Sequence, residues 1–386
     1  MGFLTDSIHA GQTPEPNTGA VVTPIFQTST YAQNELGGDV KYDYARVANP
    51  TREALEDNMA ALEQGKFGCA FGSGMAAISS IFQMLSAGDH VLVTNNVYGG
   101  TYRYLTQVEK KNGLKFDFID TSNLDEIGDS GRDSTKMIFI ETPTNPMLTL
   151  TDIRAVAEIS KKNGWMLVVD NTFLSPYFQR PLTLGADIVV HSATKYLAGH
   201  SDVILGITVT DNEDIQENLK FLQKSTGAVP GPFDCWLVLR STKTLGLRMR
   251  QHEMNARDIA NFLDSHESIS KVHYPGLEEH AGHSLAKKQQ TDPHGEPGFG
   301  GMISIELASM EQAKEIVQQV KIFTLGESLG GVESLISHPV SMTHASVPKH
   351  ERLKFGLTDS LVRLSVGCED AEDLVADLSQ ALTSMK

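Results

Sequence analysis

Between about residues 65 and 205, short apolar runs alternate with stretches of helical spacing. The runs at 90–94, 116–119, 137–140, 165–169 and 188–190 are strand-length and apolar almost throughout, the pattern of strands covered on both faces. Between the runs 137–140 and 165–169, residues 152–162 put Ile153, Val156 and Ile159 on one helix face. The alternation predicts an α/β fold, a mostly parallel sheet flanked by helices. Upstream, Asn49-Pro50-Thr51 is a helix-start signature, Leu55, Met59 and Leu62 continue the helix, and Gly65 is the expected stop. After about residue 240 the pattern changes to a long helix (244–265), strands near 302–305 and 362–366, and a closing helix, together a smaller α+β domain. Residues 1–48 carry Gly11, Pro14, Pro16, Gly19, Pro24 and Gly37-Gly38 and no sustained helical period. They read as an extended arm without a core, which must pack on the rest of the chain or on a second subunit. The expected division is an arm 1–48, an α/β domain 49–243 and an α+β domain 244–386.

Composition narrows the classes of function. With 40% apolar and 21% charged positions in 386 residues, the chain is an ordinary globular one. Lys+Arg 32 against Asp+Glu 48 gives a net charge of -16, which repels nucleic acid and anionic lipid. The apolar runs are too short to span a bilayer, and the first residues lack the basic start and long apolar core of a secretory signal. Cys69, Cys235 and Cys368 lie far apart, which argues against a disulfide framework or a thiolate zinc site and for a reducing cytoplasm. Glu279, His280 and His283 have no third ligand in a motif relation to them, so no metal site is expected.

Three groups of residues suggest chemistry. Gly72-Ser73-Gly74-Met75-Ala76-Ala77 opens an apolar helix, and small residues there let an anion approach the free N–H groups, although tight helix packing explains the glycines equally well. The spacing also fits a dinucleotide fingerprint, but the next strand runs into Asn95-Asn96 where that fingerprint needs an acid. The strands at 165–169 and 188–190 run into Asp170-Asn171-Thr172 and His191-Ser192-Ala193-Thr194-Lys195, at the strand ends where α/β sheets bind ligands. A lysine of lowered pKa forms Schiff bases with carbonyls. One cofactor uses an amine, a carboxylate, hydroxyls and free amides together: pyridoxal 5'-phosphate, with Lys195 on its aldehyde, Asp170 on its ring nitrogen, and Ser192, Thr194 and the Gly74 and Met75 amides on its phosphate.

Further motifs carry a resemblance. Ala45-Arg46 with Asn49-Pro50-Thr51-Arg52, Val97-Tyr98-Gly99-Gly100-Thr101, Glu141-Thr142-Pro143-Thr144-Asn145-Pro146, Val169-Asp170-Asn171-Thr172, the segment from His191 to His200 and Glu327-Ser328-Leu329-Gly330-Gly331 resemble, in order and over nearly the whole chain, the cystathionine synthase/lyase family of methionine and cysteine metabolism. The resemblance implies a fold-type-I pyridoxal phosphate enzyme. It implies that Tyr98 stacks on the cofactor ring and serves as an acid/base, and that Tyr44 and Arg46 reach the cofactor phosphate of a neighbouring subunit. It further implies that Arg363 clamps the substrate α-carboxylate with Asn145 and Ser328 assisting, that Arg103 lies on the substrate side, and that the assembly is a homotetramer, a dimer of dimers. Ala45, Gly72 and Ala198 depart from the usual family residues without removing a group the chemistry uses.

Within that family, γ-acting members carry a glutamate in the segment matching Gly330-Gly331-Val332-Glu333-Ser334, so Glu333 is expected at the distal end of the substrate site. Gly100 stands where methionine γ-lyases have cysteine. The resemblance therefore implies γ-elimination of cystathionine to cysteine, 2-oxobutanoate and ammonia, with γ-replacement of an activated homoserine ester by cysteine as the alternative. A nicotinamide dehydrogenase has no use for Lys195 in its motif, and a non-catalytic binding protein has none for Tyr98 and Lys195 together.

Overall fold

The computed structural model describes residues 1–38, 40–345 and 347–385. Among them the strands form two sheets, one of seven and one of five. The larger contains β1 (Phe67–Phe71), β2 (His90–Thr94), β3 (Lys115–Ile119), β4 (Thr135–Glu141), β5 (Met166–Asp170), β6 (Ile188–Ser192) and β7 (Gly206–Thr210), in the order β1-β7-β6-β5-β4-β2-β3. The run from β6 to β3 is parallel, and β7 alone is reversed, antiparallel to both β6 and β1. The mostly parallel sheet expected from the sequence is therefore present, and β1 and β7 are additions to it.

Helices cover both faces, which is why the central strands are apolar throughout. On one face Ile78, Ile81 and Phe82 of helix Gly74–Phe82 pack on Val91, Val93, Phe139, Val168 and Val190. On the other, Ile153 and Val156 of helix Ile153–Asn163 pack on Leu92, Ile138, Ile140, Leu167 and Val169. The second sheet holds β8 (Lys271–His273), β9 (Met302–Glu306), β10 (Thr324–Leu325), β11 (Leu335–Ser337) and β12 (Leu361–Ser365), in the order β10-β11-β12-β9-β8. Its core is shared with the long helix Leu245–Asp264 and the closing helix Ala371–Ser384.

Two local expectations are corrected. Residues Phe3–His9 form a helix, so the arm is not extended from its start. Phe3 packs edge-on against Tyr177 at 5.4 Å, and Asn58 Nδ2 donates to the carbonyls of Asp6 and Ala10 at 3.2 and 3.0 Å. The arm is also tied at its far end, where the buried Arg52 guanidinium donates to Ala45 O and Val47 O at 2.8 and 2.7 Å. Helix Pro50–Leu62 starts as expected, with Asn49 Oδ1 accepting from the Thr51 and Arg52 amides. Its stop is not made by a left-handed Gly65: Gln64 takes that conformation, at φ 58°.

Candidate active site

The cavity of about 720 Å³ lies at the carboxyl ends of the parallel strands, the usual ligand position in such a sheet. Side chains two residues apart on a strand share a face, so Glu141, Asp170 and Ser192, each two beyond a residue of the core under helix Gly74–Phe82, emerge on that helix's side. Glu141 and Asp170 are direct partners across β4 and β5. The helix start closes in from above. A Cβ on Gly74 would lie 2.8 Å from Ser192 Cβ, and one on Gly206 would lie 2.1 Å from Ser73 O, so both approaches require glycine.

This brings together ten residues expected from the sequence: Lys195, Tyr98, Asp170, Ser192, Thr194, Gly74, Met75, Asn145, Ser328 and Arg363 all line the cavity. Ser73 caps its helix through the Ala76 amide, which leaves the first-turn amides of Gly74 and Met75 without an intrahelical acceptor. Among the described residues the Ser192 hydroxyl beside them has no hydrogen-bond partner. Thr194 Oγ1 accepts from Leu205 N at 3.0 Å. Asp170 Oδ1 accepts from Thr172 N at 3.0 Å and Thr172 Oγ1 at 2.5 Å, while Oδ2 has no partner among the described residues. Burial raises the Asp170 pKa, and the hydrogen bonds from Thr172 oppose it.

Lys195 Nζ donates to Ser328 Oγ at 2.8 Å. Burial, and after it the Arg363 charge, lower its pKa to about 8, with Glu327 acting the other way. A sizeable fraction of the amine is thus neutral, and nucleophilic, near neutral pH. Ser328 is held at φ 109°, a conformation that non-glycine residues rarely adopt, and it serves two groups at once: its hydroxyl accepts from Lys195 and its carbonyl from Arg363. Arg363, in the middle of β12, is 2% exposed. Nη1 donates to Asn145 Oδ1 and Nη2 to Ser328 O, each at 2.8 Å, and Nε has no partner. Burial lowers its pKa to about 10. A buried guanidinium with unused N–H groups facing a cavity has the donors to receive a carboxylate.

Four expected residues lie elsewhere. Tyr44 and Arg46 are exposed, the guanidinium lying over the tyrosine ring and donating to Lys224 O at 2.7 Å. Arg103 is exposed on helix Gly99–Tyr104 and outside the cavity lining. Glu333, expected at the distal end of the cavity, is exposed and outside its lining, where it accepts from Ser201 Oγ at 3.3 Å. The glutamate on the cavity wall is Glu327, which makes no hydrogen bond or ion pair among the described residues. A second acid unassigned from sequence, Glu141, is buried in the wall, pushed well above the usual carboxylate range by burial and by Asp170 beside it. Thr172 has no expected role either, and its hydroxyl joins β5 to β6 by accepting from Ser192 N at 2.9 Å. All three stand inside motifs that carry the resemblance or beside the expected acid, and that was their available signal.

The unsatisfied groups fit pyridoxal phosphate part by part: free amides and a free hydroxyl for a phosphate, an open carboxylate oxygen for a protonated ring nitrogen, and an amine of lowered pKa for the aldehyde. Among the described residues no group of three or more His, Cys, Asp or Glu side chains is placed to hold a metal ion. No helix among them is long and apolar enough to cross a membrane.

Comparison with known proteins agrees. The family model described as Cys/Met metabolism PLP-dependent enzyme matches residues 4–383. The chain is 53% identical to a cystathionine γ-lyase of Bacillus subtilis, covering 100% of both chains. It is 50% identical to a cystathionine β-lyase of Lactococcus lactis subsp. cremoris, covering 98% of each. The solved structure of a cystathionine γ-lyase from Lactobacillus plantarum complexed with L-serine superposes with a TM-score of 0.96 at 44% identity, over 100% of this chain and 99% of that one.

Proposed function

The chain belongs to the Cys/Met metabolism PLP-dependent enzyme family, and from that premise we propose that it is a carbon–sulfur lyase that converts cystathionine and water to cysteine, 2-oxobutanoate and ammonia. The observation that carries this reading is a single cavity holding a part-neutral lysine, a carboxylate receptor and an unpaired glutamate at separate points of its wall. Pyridoxal phosphate, when bound, supplies the electron sink for negative charge developing at the substrate's α-carbon.

The chain's own residues do the rest. The Gly74 and Met75 amides with Ser192 and Thr194 receive the phosphate, and Asp170 Oδ2 keeps the ring nitrogen protonated. Lys195 would hold the aldehyde, and its part-neutral amine is placed to carry a proton from Cα. Tyr98, 40% exposed on the wall, would pack against the cofactor ring and serve as the acid that gives a proton to the leaving sulfur. Arg363, set by Asn145 and Ser328, grips the α-carboxylate. We assign the remote ammonium of cystathionine to Glu327 rather than Glu333, because Glu327 is on the wall and unpaired.

Tyr44 and Arg46 are too exposed to act in their own subunit's cavity, and we place them at a neighbour's phosphate, with Arg103 at the outer substrate side. The same arm presents Val21, Val22, Leu36 and Val47 to solvent. A homotetramer built as two dimers gives these residues a partner. Every strand of the larger sheet lies within residues 49–243 and every strand of the smaller within 244–386, which supports that division behind an arm of 1–48. The thiols of Cys69, Cys235 and Cys368 are all free, in keeping with a cytoplasmic setting.

Pure protein incubated with L-cystathionine should release 2-oxobutanoate in excess over pyruvate. Release of pyruvate in its place would overturn γ-elimination. Cystathionine formed from an activated homoserine ester and cysteine, with no 2-oxobutanoate from cystathionine, would establish γ-replacement instead.

A further inference from the structure

We propose that Glu141 is a positioning residue that sets the gap between the Tyr98 ring and the Arg363 clamp, by holding the backbone N–H groups of Tyr98 and Asn145 on one buried carboxylate. The inference rests on the reading of this cavity as a cofactor and amino-acid site. Glu141 ends β4 and is 5% exposed. Oε2 accepts from Tyr98 N at 2.9 Å and Oε1 from Asn145 N at 3.0 Å. Neither amide belongs to a sheet ladder. Tyr98 is the residue before helix Gly99–Tyr104, and Asn145 lies in the loop after β4, so without Glu141 both N–H groups would be left without an acceptor at the cavity wall. Asn145 Oδ1 in turn accepts from Arg363 Nη1 at 2.8 Å. One continuous path of hydrogen bonds therefore runs from the Tyr98 backbone through Glu141 and Asn145 to the guanidinium.

The surroundings make the spacing strict. A Cβ on Gly99 would lie 2.4 Å from Thr343 O, and one on Gly100 would lie 2.4 Å from Tyr98 Cε1, so the segment carrying Tyr98 has little room to settle elsewhere. The choice of an acid is itself informative. Asp170 stands directly opposite on β5, and two buried carboxylates side by side repel. A neutral residue of the same size would avoid that repulsion, yet glutamine has one acceptor oxygen, and its NH₂ would face the other N–H. Only a carboxylate accepts from both amides, and Arg363 nearby offsets part of its charge.

The test compares the parent with Glu141→Gln and Glu141→Asp by hydrogen exchange of the apoprotein and by cystathionine turnover of the holoenzyme. In Glu141→Gln at least one of the Tyr98 and Asn145 amides should exchange tenfold faster or more, while amides within β4 and β5 keep parent rates. The kcat/KM for L-cystathionine should fall about tenfold, chiefly through KM, with kcat changing less. Glu141→Asp, which keeps the charge but not the reach, should lie between the two and serves as the measured variant if the glutamine protein does not fold. Parent-like protection of both amides together with a parent-like KM would overturn the proposal. A parent protein that binds no pyridoxal phosphate would instead overturn the reading of the cavity, and the exchange experiment would still decide whether Glu141 tethers the two segments.

Discussion

Replacing Arg363 by lysine keeps a positive charge in the cavity and removes the planar fork. Arginine has five N–H groups, and here two are engaged, one with Asn145 Oδ1 and one with Ser328 O, which leaves three for a ligand in a residue only 2% exposed. A lysine has three N–H groups on one nitrogen. Serving the same two protein acceptors, it has one left, so the substrate carboxylate loses one charge-assisted hydrogen bond, about 1.5–3 kcal/mol. The kcat/KM for cystathionine should fall by about 10- to 150-fold. Arg363→Met removes the charge as well and should cost about 2–5 kcal/mol, or about 30- to 5,000-fold. A second readout separates charge from shape. The Arg363 charge helps to hold the Lys195 amine down at about 8, so Arg363→Met should raise that pKa and Arg363→Lys should leave it near the parent value. The assay is the pH dependence of pyridoxal phosphate capture by each apoprotein, followed by visible absorbance, beside steady-state kinetics of the loaded enzymes. An Arg363→Met protein with parent kcat/KM and parent titration would refute both the clamp and the electrostatic coupling.

Three other outcomes follow from the same geometry. Only the neutral amine attacks an aldehyde, so capture by Lys195 should rise about tenfold per pH unit up to about 8 and level off above it, whereas an ordinary lysine would still be rising at pH 10; borohydride reduction and peptide mapping must place the label on Lys195. Gly74→Ala puts a Cβ 2.8 Å from Ser192 Cβ and should weaken pyridoxal phosphate binding about 5- to 150-fold, the equivalent of about 1–3 kcal/mol of overpacking, as read by cofactor titration; an unchanged affinity would show that the helix start does not touch the phosphate. Behind the cavity, the fully buried Glu63 accepts from His191 Nε2 at 2.6 Å and Asn171 Nδ2 at 3.1 Å, so Glu63→Ala should destabilise the fold by about 1–3 kcal/mol for each hydrogen bond left unmade in urea unfolding, and a loss under 1 kcal/mol would contradict a structural role for this carboxylate.

Strands β2, β4, β5 and β6 were legible because a strand buried on both faces needs apolar residues throughout, and β3, a partly buried edge strand, through Phe116, Phe118 and Ile119. In the larger sheet, β1 and β7 break that rule. β1 is Phe-Gly-Cys-Ala-Phe, with Gly68 so close to the Pro50–Leu62 helix that a Cβ would lie 2.2 Å from Glu56 O. β7 alternates Ile207 and Val209 with Thr208 and Thr210, a half-exposed pattern, yet all four are buried because helices Pro50–Leu62, Gly74–Phe82 and Glu213–Thr226 pack against it. Helix Phe3–His9 is two turns long, too short to stand by its own periodicity, and exists because Asn58 and Tyr177 receive it. At the site, residues that follow apolar strands were legible from position alone. Glu141 was not, since a glutamate before a proline turn reads as a local cap, and its second partner, Tyr98, is 43 residues away. The strained Ser328 backbone had no sequence sign beyond its glycine-rich neighbours.

Similarity over the whole chain does not choose which carbon–sulfur bond breaks: relatives named for γ- and β-cleavage stand at 53% and 50% identity. In the proposed mechanism either cleavage uses Lys195, Asp170 and Arg363, because each begins with loss of the α-proton. The choice must fall to the groups that hold the far end of cystathionine and decide which bond lies beside Lys195 and Tyr98. Two glutamates compete for that role within the 327–333 segment. Glu327 borders the cavity with no hydrogen bond or ion pair among the described residues, while Glu333 is outside the lining and already receives the Ser201 hydroxyl. An unpaired carboxylate on the wall is free to take an ammonium, and losing that contact removes about 1.5–3 kcal/mol of preference. Glu327→Ala should therefore move the ratio of 2-oxobutanoate to pyruvate by about 10- to 150-fold toward pyruvate, and Glu333→Ala should leave it near the parent value. The reverse result, a ratio changed by Glu333→Ala and untouched by Glu327→Ala, would mean that the far end of the substrate lies beyond this cavity wall, and would return the ammonium site to Glu333.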